Sequence, residues 1–184
     1  KCSNLNNVTF EEGTTEIAKW LFAECDGLSE ITIPDTVTVI EGGAFYLCSN
    51  LEKVIIPDSV TEISYRAFDG CTSLESIIIP DSVTFIGNYS FAGCTSLESI
   101  VIPDSVTWIG GSAFSNCTSL ASVTLSKSLE SMGAEAFAYC TALTSIEIPK
   151  SLDEVTIGNY WRGAFFKCSN LNNVTFEEGT TEIA

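Results

Sequence analysis

Residues 74–94 read LESIIIPDSVTFIGNYSFAGC, and residues 97–117 read LESIVIPDSVTWIGGSAFSNC, the same pattern 23 residues later. The period extends along the whole chain. Cysteines stand 23 residues apart at Cys2, Cys25, Cys48, Cys71, Cys94, Cys117 and Cys140, and Cys168 follows after 28 residues. Self-similarity at a fixed period of roughly 20–50 residues is typical of a solenoid, in which each repeat packs only on its neighbours.

Apolar columns accompany the cysteines. A leucine follows each cysteine by three residues, and two further apolar positions come next with a spacing of two, as at Ile77 and Ile79. This alternation indicates a strand. All five prolines stand directly after it, where a residue without an N–H ends the hydrogen-bonded ladder. The sequence therefore predicts a solenoid of 23-residue coils, with a continuous parallel β-sheet on the concave face and little helix.

The repeat pattern LxxIxIPxxVxxIgxxAFxxC resembles the BspA-like leucine-rich repeats, also called the Treponema pallidum type, over essentially the whole chain. The resemblance implies a leucine-rich-repeat solenoid that is secreted or displayed at the cell surface. It also implies adhesion to surface proteins or glycoproteins of a host or of neighbouring cells. A fold alone names no ligand, so the identity of that partner stays open.

Composition excludes several classes of function. The chain has 24 acidic and 8 basic residues, a formal net charge of −16, and no basic cluster that would favour nucleic acid. It has no histidine, which is the usual general base and the commonest transition-metal ligand, and no glycine-rich phosphate-binding motif. No apolar run reaches the roughly 18 residues of a membrane span. We therefore expect a non-enzymatic binding module, with no catalytic residue, metal site, cofactor or membrane span in this segment.

The cysteines all occupy one column and lack the close pairing of a zinc site. Free cysteine is among the most buried residue types. We expect all eight thiols to be buried, reduced and unbridged.

A second, longer period is also present. Residues 1–18 are repeated letter for letter as residues 167–184, a shift of 166 residues that comprises six units of 23 and one of 28. This predicts that residues 1–184 form a single solenoid of about eight coils, cut from a longer tandem array with a 166-residue super-repeat. Identical ends also permit head-to-tail self-association, so a subunit of an extracellular filament or stalk is the alternative to an adhesin.

Outward positions of the predicted strand supply the first candidate site. Ile55, Ile78 and Val101 form an apolar stripe in one column, and Ser76 and Ser99 stand in the neighbouring column. This arrangement suits binding of an extended chain. The alternative is that β-branched residues simply favour strands.

Aromatic residues supply the other candidates. Phe85 and Trp108 share a column on the opposite side of the coil, where we expect them to stack and to be partly exposed. Tyr160, Trp161 and Arg162 belong to the five additional residues of the long unit, and these are the residue types preferred at interfaces. The alternatives are shielding of a core edge for the pair and a plain bulge for the insertion.

Overall fold

The computed structural model describes residues 2–152 and 163–178, which form a parallel β-solenoid without helix in that part of the chain. Each coil contributes one or two short strands in the described residues. The strands are β1 (Glu16–Ile17), β2 (Glu30–Thr32), β3 (Val39–Ile40), β4 (Lys53–Ile55), β5 (Glu62–Ile63), β6 (Phe85–Ile86), β7 (Ser99–Val101), β8 (Trp108–Ile109), β9 (Ser122–Thr124), β10 (Ser131–Met132), β11 (Ser145–Ile148) and β12 (Asn173–Phe176). The predicted solenoid of stacked coils is confirmed.

The longest sheet has six strands in the order β1-β3-β5-β6-β8-β10, and we call this side of the solenoid the second face. Its register equals the repeat, since Glu62 pairs with Phe85 and Phe85 with Trp108. The second residue of each strand points inward, and Ile63 and Ile86 are fully buried. Strands of two residues are long enough to form this sheet, because each inner strand is hydrogen-bonded to the coil before it and to the coil after it.

The strands that end at the column of prolines form the opposite side, which we call the first face; β9 and β12 belong to it although Ser126 and Glu177 replace the proline there. The strands of this face pair in twos, β2 with β4, β7 with β9 and β11 with β12, and residues 76–78 between the first two pairs are not in a strand. The sequence predicted the continuous sheet on this side. The longest ladder lies instead on the second face, where the bonding also continues past the strand, as from the Gly87 N–H to the Ile63 carbonyl at 2.8 Å.

A column of stacked phenylalanines runs through the core. Successive ring centroids lie 5.0–5.7 Å apart, with interplanar angles of 15° or less. The members are Phe22, Phe45, Phe68, Phe91, Phe114, Phe137 and Phe165. Each inner ring therefore contacts one ring above and one below, which joins every coil to its neighbours by the same contact.

The cysteine column stands beside the phenylalanines and makes a repeated hydrogen bond. From Cys48 to Cys168, each thiol donates to the carbonyl oxygen of the phenylalanine 26 or 31 residues earlier, at 2.9–3.3 Å. Burial raises the pKa of the Cys71 and Cys94 thiols, and it raises that of Cys48 and Cys117 to about 12. The same carbonyl also accepts from the backbone N–H three residues later, as the Phe45 carbonyl does from Cys48 at 3.2 Å, so the thiol adds a second hydrogen bond to a buried oxygen.

All eight cysteines are free, and seven of them are buried. The expectation of burial is wrong for Cys2, which is exposed. In this column the coil before a cysteine covers its thiol, as at Cys48, whose thiol donates to the Phe22 carbonyl at 2.9 Å.

The long unit returns to register after its five additional residues. The Phe137 N–H donates to the Ala164 carbonyl at 2.8 Å, and the Phe137 and Phe165 rings stack at 5.7 Å. Farther along, β11 and β12 pair with Ser145 opposite Asn173. The columns thus continue across a change in coil length.

Left-handed backbone recurs at two positions of each coil. The non-glycine residues with φ of 55–62° are Trp20, Glu24, Leu47, Arg66, Tyr89, Ser112, Asn116, Glu135, Tyr139 and Lys167, and all of them fall in these two columns. Gly43, with φ of 67°, stands in the same column as Trp20. A Cβ atom at Gly43 would overlap the Trp20 ring, so the contact with that ring favours glycine at this position.

Candidate functional site

The first face carries a band of exposed apolar side chains, which we call the isoleucine strip: Ile55, Ile78 and Val101. Their exposed fractions are 46%, 84% and 63%. The strip arises because side chains alternate along an extended segment, so that the residues beside them, such as Ile77, point into the core. Three consecutive coils thus place one apolar side chain each at the same position on the surface.

Polar columns border the isoleucine strip. Ser76 and Ser99, two residues before Ile78 and Val101, are exposed, so the structure brings all five predicted first-face residues to one surface. A second border consists of the exposed carboxylates in the column after the conserved repeat leucine: Glu52, Glu75 and Glu98. The acidic border was not predicted from the sequence, although its three glutamates stand 23 residues apart. The surface offers apolar contact, hydroxyl groups and negative charge side by side.

The predicted aromatic pair lies on the second face. The rings of Phe85 and Trp108, on β6 and β8, stack with centroids 4.5 Å apart and an interplanar angle of 8°. Both side chains are half-buried. The expected stacking and partial exposure are therefore confirmed, since the strand register places the two residues in adjacent coils.

A cluster of tyrosines surrounds Arg66 next to this pair. The guanidinium carbon lies 5.8 Å from the ring centre of Tyr46, 5.3 Å from that of Tyr65 and 5.1 Å from that of Tyr89. The Arg66 Nε atom is 3.5 Å from the Asp69 carboxylate. Burial raises the pKa of Asp69, and the charge of Arg66 opposes this rise. The surface thus holds one of its own cations against aromatic ring faces.

A groove of about 460 Å³ opens on the second face beside the tyrosine cluster, and we call it the second-face groove. Its lining is Lys19, Trp20, Glu41, Gly42, Glu62, Ser64, Tyr65, Phe85, Gly87 and Asn88. Glu62 Oε1 accepts a hydrogen bond from Ser64 Oγ at 2.7 Å. Lys19 Nζ lies 3.9 Å from a carboxylate oxygen of Glu41. Except for Phe85, sequence reasoning did not select these residues, because they come from four coils and from several columns.

The third candidate, formed by Tyr160, Trp161 and Arg162, lies outside the described residues. Within residues 2–152 and 163–178, no three or more acidic, cysteine or histidine side chains are grouped as ligands for a metal ion. A search of the same residues found no helix with the length and apolar character of a membrane span.

The family model for the BspA type leucine rich repeat region matches residues 1–97 and 84–184, in six copies. The chain belongs to this family. The match spans both faces, the phenylalanine and cysteine columns and the long unit, so that every candidate site described above is built on BspA-type repeats. Among curated proteins, none matches the chain significantly.

Solved structures of bacterial leucine-rich-repeat proteins share the BspA-type fold. A protein from Bacteroides ovatus is 37% identical, with a TM-score of 0.81 over 92% of this chain and 43% of that one. The leucine-rich-repeat protein of T. pallidum is 36% identical, with a TM-score of 0.69 over 71% of this chain and 61% of that one. The pneumococcal vaccine antigen PcpA is 29% identical, with a TM-score of 0.55 over 90% of this chain and 36% of that one. The chain thus spans less than two thirds of each of these relatives.

Proposed function

We propose that this BspA-type solenoid is a non-enzymatic adhesion module, secreted or displayed at a cell surface. It binds surface proteins or glycoproteins of a host or of neighbouring cells. The observation that carries the proposal is the isoleucine strip, which holds three large apolar side chains in the solvent in consecutive coils. Contiguous exposed apolar groups rimmed by polar residues mark interaction surfaces. A structural relative named as a pneumococcal vaccine antigen supports a surface location.

The chemistry of the first face suits an extended or flat partner. Full burial of one large aliphatic side chain is worth about 1.5–3 kcal/mol, so the isoleucine strip can supply part of the free energy of binding. Ser76 and Ser99 add hydroxyl groups that both donate and accept hydrogen bonds. The acidic border of Glu52, Glu75 and Glu98 favours partners with basic groups beside an apolar stretch.

Adhesion of coated beads to cultured epithelial cells tests the proposal. The variant carries Ile55→Thr, Ile78→Thr and Val101→Thr, because Thr32 and Thr124 occupy the same column and show that threonine fits there. We expect the number of attached beads to fall about tenfold, which corresponds to about 1.4 kcal/mol of binding free energy.

The matched control replaces those two native threonines by serine, which alters the column without touching the isoleucine strip. Its adhesion is expected to stay at the native level. Native adhesion of the triple variant, with unchanged circular dichroism, would contradict a role of the strip.

We propose a filament subunit as the second candidate function, because residues 1–18 and 167–184 are identical and the coils of this solenoid stack in a constant register. In such a filament, a coil of one molecule stacks on a coil of the next in the register used inside the chain.

Sedimentation velocity at increasing protein and salt concentration tests the filament. The net charge of −16 opposes stacking, so salt should promote assembly by screening. A monomer at all concentrations would eliminate this alternative and leave adhesion unaffected.

A further inference from the structure

We propose that the second-face groove binds a lysine or arginine side chain of a partner protein, with Glu62 as the opposing charge and the rings of Phe85 and Trp20 as walls. This inference goes beyond adhesion through the isoleucine strip, because it concerns the other side of the solenoid. It also assigns the ligand a chemistry, a basic side chain.

The first argument is the geometry of Phe85. One face of its ring is covered by Trp108 at 4.5 Å in a parallel stack. The other face is turned towards the preceding coil, where Glu62 is the strand partner of Phe85. The column has a carboxylate at that position instead of another ring, so the groove has an aromatic wall and a negative charge next to each other. A cation lying on an aromatic face and near a carboxylate is stabilised by both.

The second argument is the arrangement of the carboxylates. Ser64, which is buried, donates from Oγ to Glu62 Oε1 at 2.7 Å and fixes the orientation of that side chain. A carboxylate accepts several hydrogen bonds at once, so Glu62 can also accept from a ligand. Glu41 lines the same groove, and its ion pair with the exposed Lys19 is long, at 3.9 Å. An exposed pair of this kind contributes little, so a cation of the partner can take its place at small cost.

The third argument is that this surface already binds cations in the same way within the chain. The Arg66 guanidinium lies 5.1–5.8 Å from three tyrosine rings. At a second place, Lys167 Nζ lies 5.6 Å from the ring centres of both Tyr139 and Phe166. The second-face groove combines the same aromatic elements with two carboxylates. The net charge of −16 further attracts basic partners and repels acidic ones.

The experiment is an NMR titration of the full 184-residue chain with a short basic peptide, acetyl-Gly-Arg-Gly-Arg-Gly-amide. The backbone N–H signals of Gly42, Gly87 and Asn88 and the Trp20 indole N–H report on the groove. We expect these signals to shift together and to saturate. The same peptide with glutamate in place of arginine should leave them unchanged.

Two variants and one control locate the binding energy. Glu62→Gln removes the charge with little change in shape and should weaken the peptide about tenfold, and Phe85→Val, which copies Val39 in the same column, should weaken it about threefold. The matched control is Glu75→Gln, the same change of charge on the first face. It should alter the affinity by less than about twofold, since exposed and distant charges are screened. A spectrum of each variant recorded without peptide checks that the solenoid is intact.

Three outcomes would overturn the proposal. Shifts spread over the acidic surface, or equal losses for Glu62→Gln and Glu75→Gln, would mean unspecific attraction to the net charge. Shifts in the groove with cellotriose but not with the arginine peptide would mean that it is a sugar site. The triple threonine variant of the isoleucine strip should bind the peptide normally, so that failure of the groove and failure of the adhesive strip can be told apart.

Discussion

Replacement of Phe91 by alanine tests whether the phenylalanine column holds the coils together. Phe91 is fully buried, and its ring stacks on Phe68 at 5.2 Å and on Phe114 at 5.1 Å. Truncation of a buried phenylalanine costs about 3–5 kcal/mol. Each lost ring contact costs about 0.5–1.5 kcal/mol in addition to the lost burial of apolar surface. Phe91→Ala removes two such contacts, so we expect the free energy of unfolding to fall by about 4–5 kcal/mol. Phe22 lies at the end of the parallel stack, with Phe45 as its single stacked neighbour and a more distant, edge-on contact to Phe10 at 6.2 Å, so we expect Phe22→Ala to cost about 3 kcal/mol.

Urea unfolding measures the loss, with tryptophan fluorescence and far-ultraviolet circular dichroism recorded on the same samples. Coincidence of the two transitions is needed before a free energy is extracted, because repeat arrays do not always unfold in one step. The surface change Glu98→Ala is the control and should stay within about 0.5 kcal/mol. A loss below about 2 kcal/mol for Phe91→Ala would refute the reasoning. An equal loss for Phe22→Ala would also refute it, because the cost would then not depend on having two stacked rings.

Three further predictions concern the backbone and the thiols. Gly43→Ala should lower the free energy of unfolding by about 1–3 kcal/mol in the same urea assay, because of its positive φ and the overlap with Trp20; an unchanged midpoint would contradict this. Glu24→Gly should raise stability by about 0.5–1 kcal/mol in thermal melting, because φ of 56° favours glycine, and a loss would count against it. Stability should fall as pH rises above roughly 8.5, since Cys48 and Cys117 keep their protons to a pKa of about 12 only when folded; a flat profile from pH 7.5 to 10.5 would be contrary evidence.

The solenoid itself could be predicted because a fixed period puts equivalent residues on top of one another, whatever their detailed geometry. The sequence did not allow us to predict which side of the solenoid carries the longest sheet. Its strands, such as Val39–Ile40, are two residues long, so they contain no alternation that distinguishes a strand from a turn. The thiol hydrogen bond was also hidden, since the column indicated burial of the cysteines but not the carbonyl that each one meets.

The two candidate sites also differ in how far they could be predicted from the sequence. The isoleucine strip could be predicted because Ile55, Ile78 and Val101 occupy one column, and a column becomes a stripe on the surface. The second-face groove joins residues of different columns, such as Trp20 and Glu62. Their proximity depends on how the turns between strands are folded, which the repeat pattern does not specify.

The return to register after the long unit has a practical consequence for engineering. Five residues more than in the other coils stand between Leu152 and Phe165, yet the Phe137 and Phe165 rings stack and the Cys168 thiol reaches the Phe137 carbonyl at 3.0 Å. Elsewhere the ladders demand 23 residues, so a gain or loss of one would shift every later column. Between Leu152 and Gly163 the scaffold accepts a different length. A foreign epitope or a fluorescent tag inserted there would be carried by stacked coils on both sides.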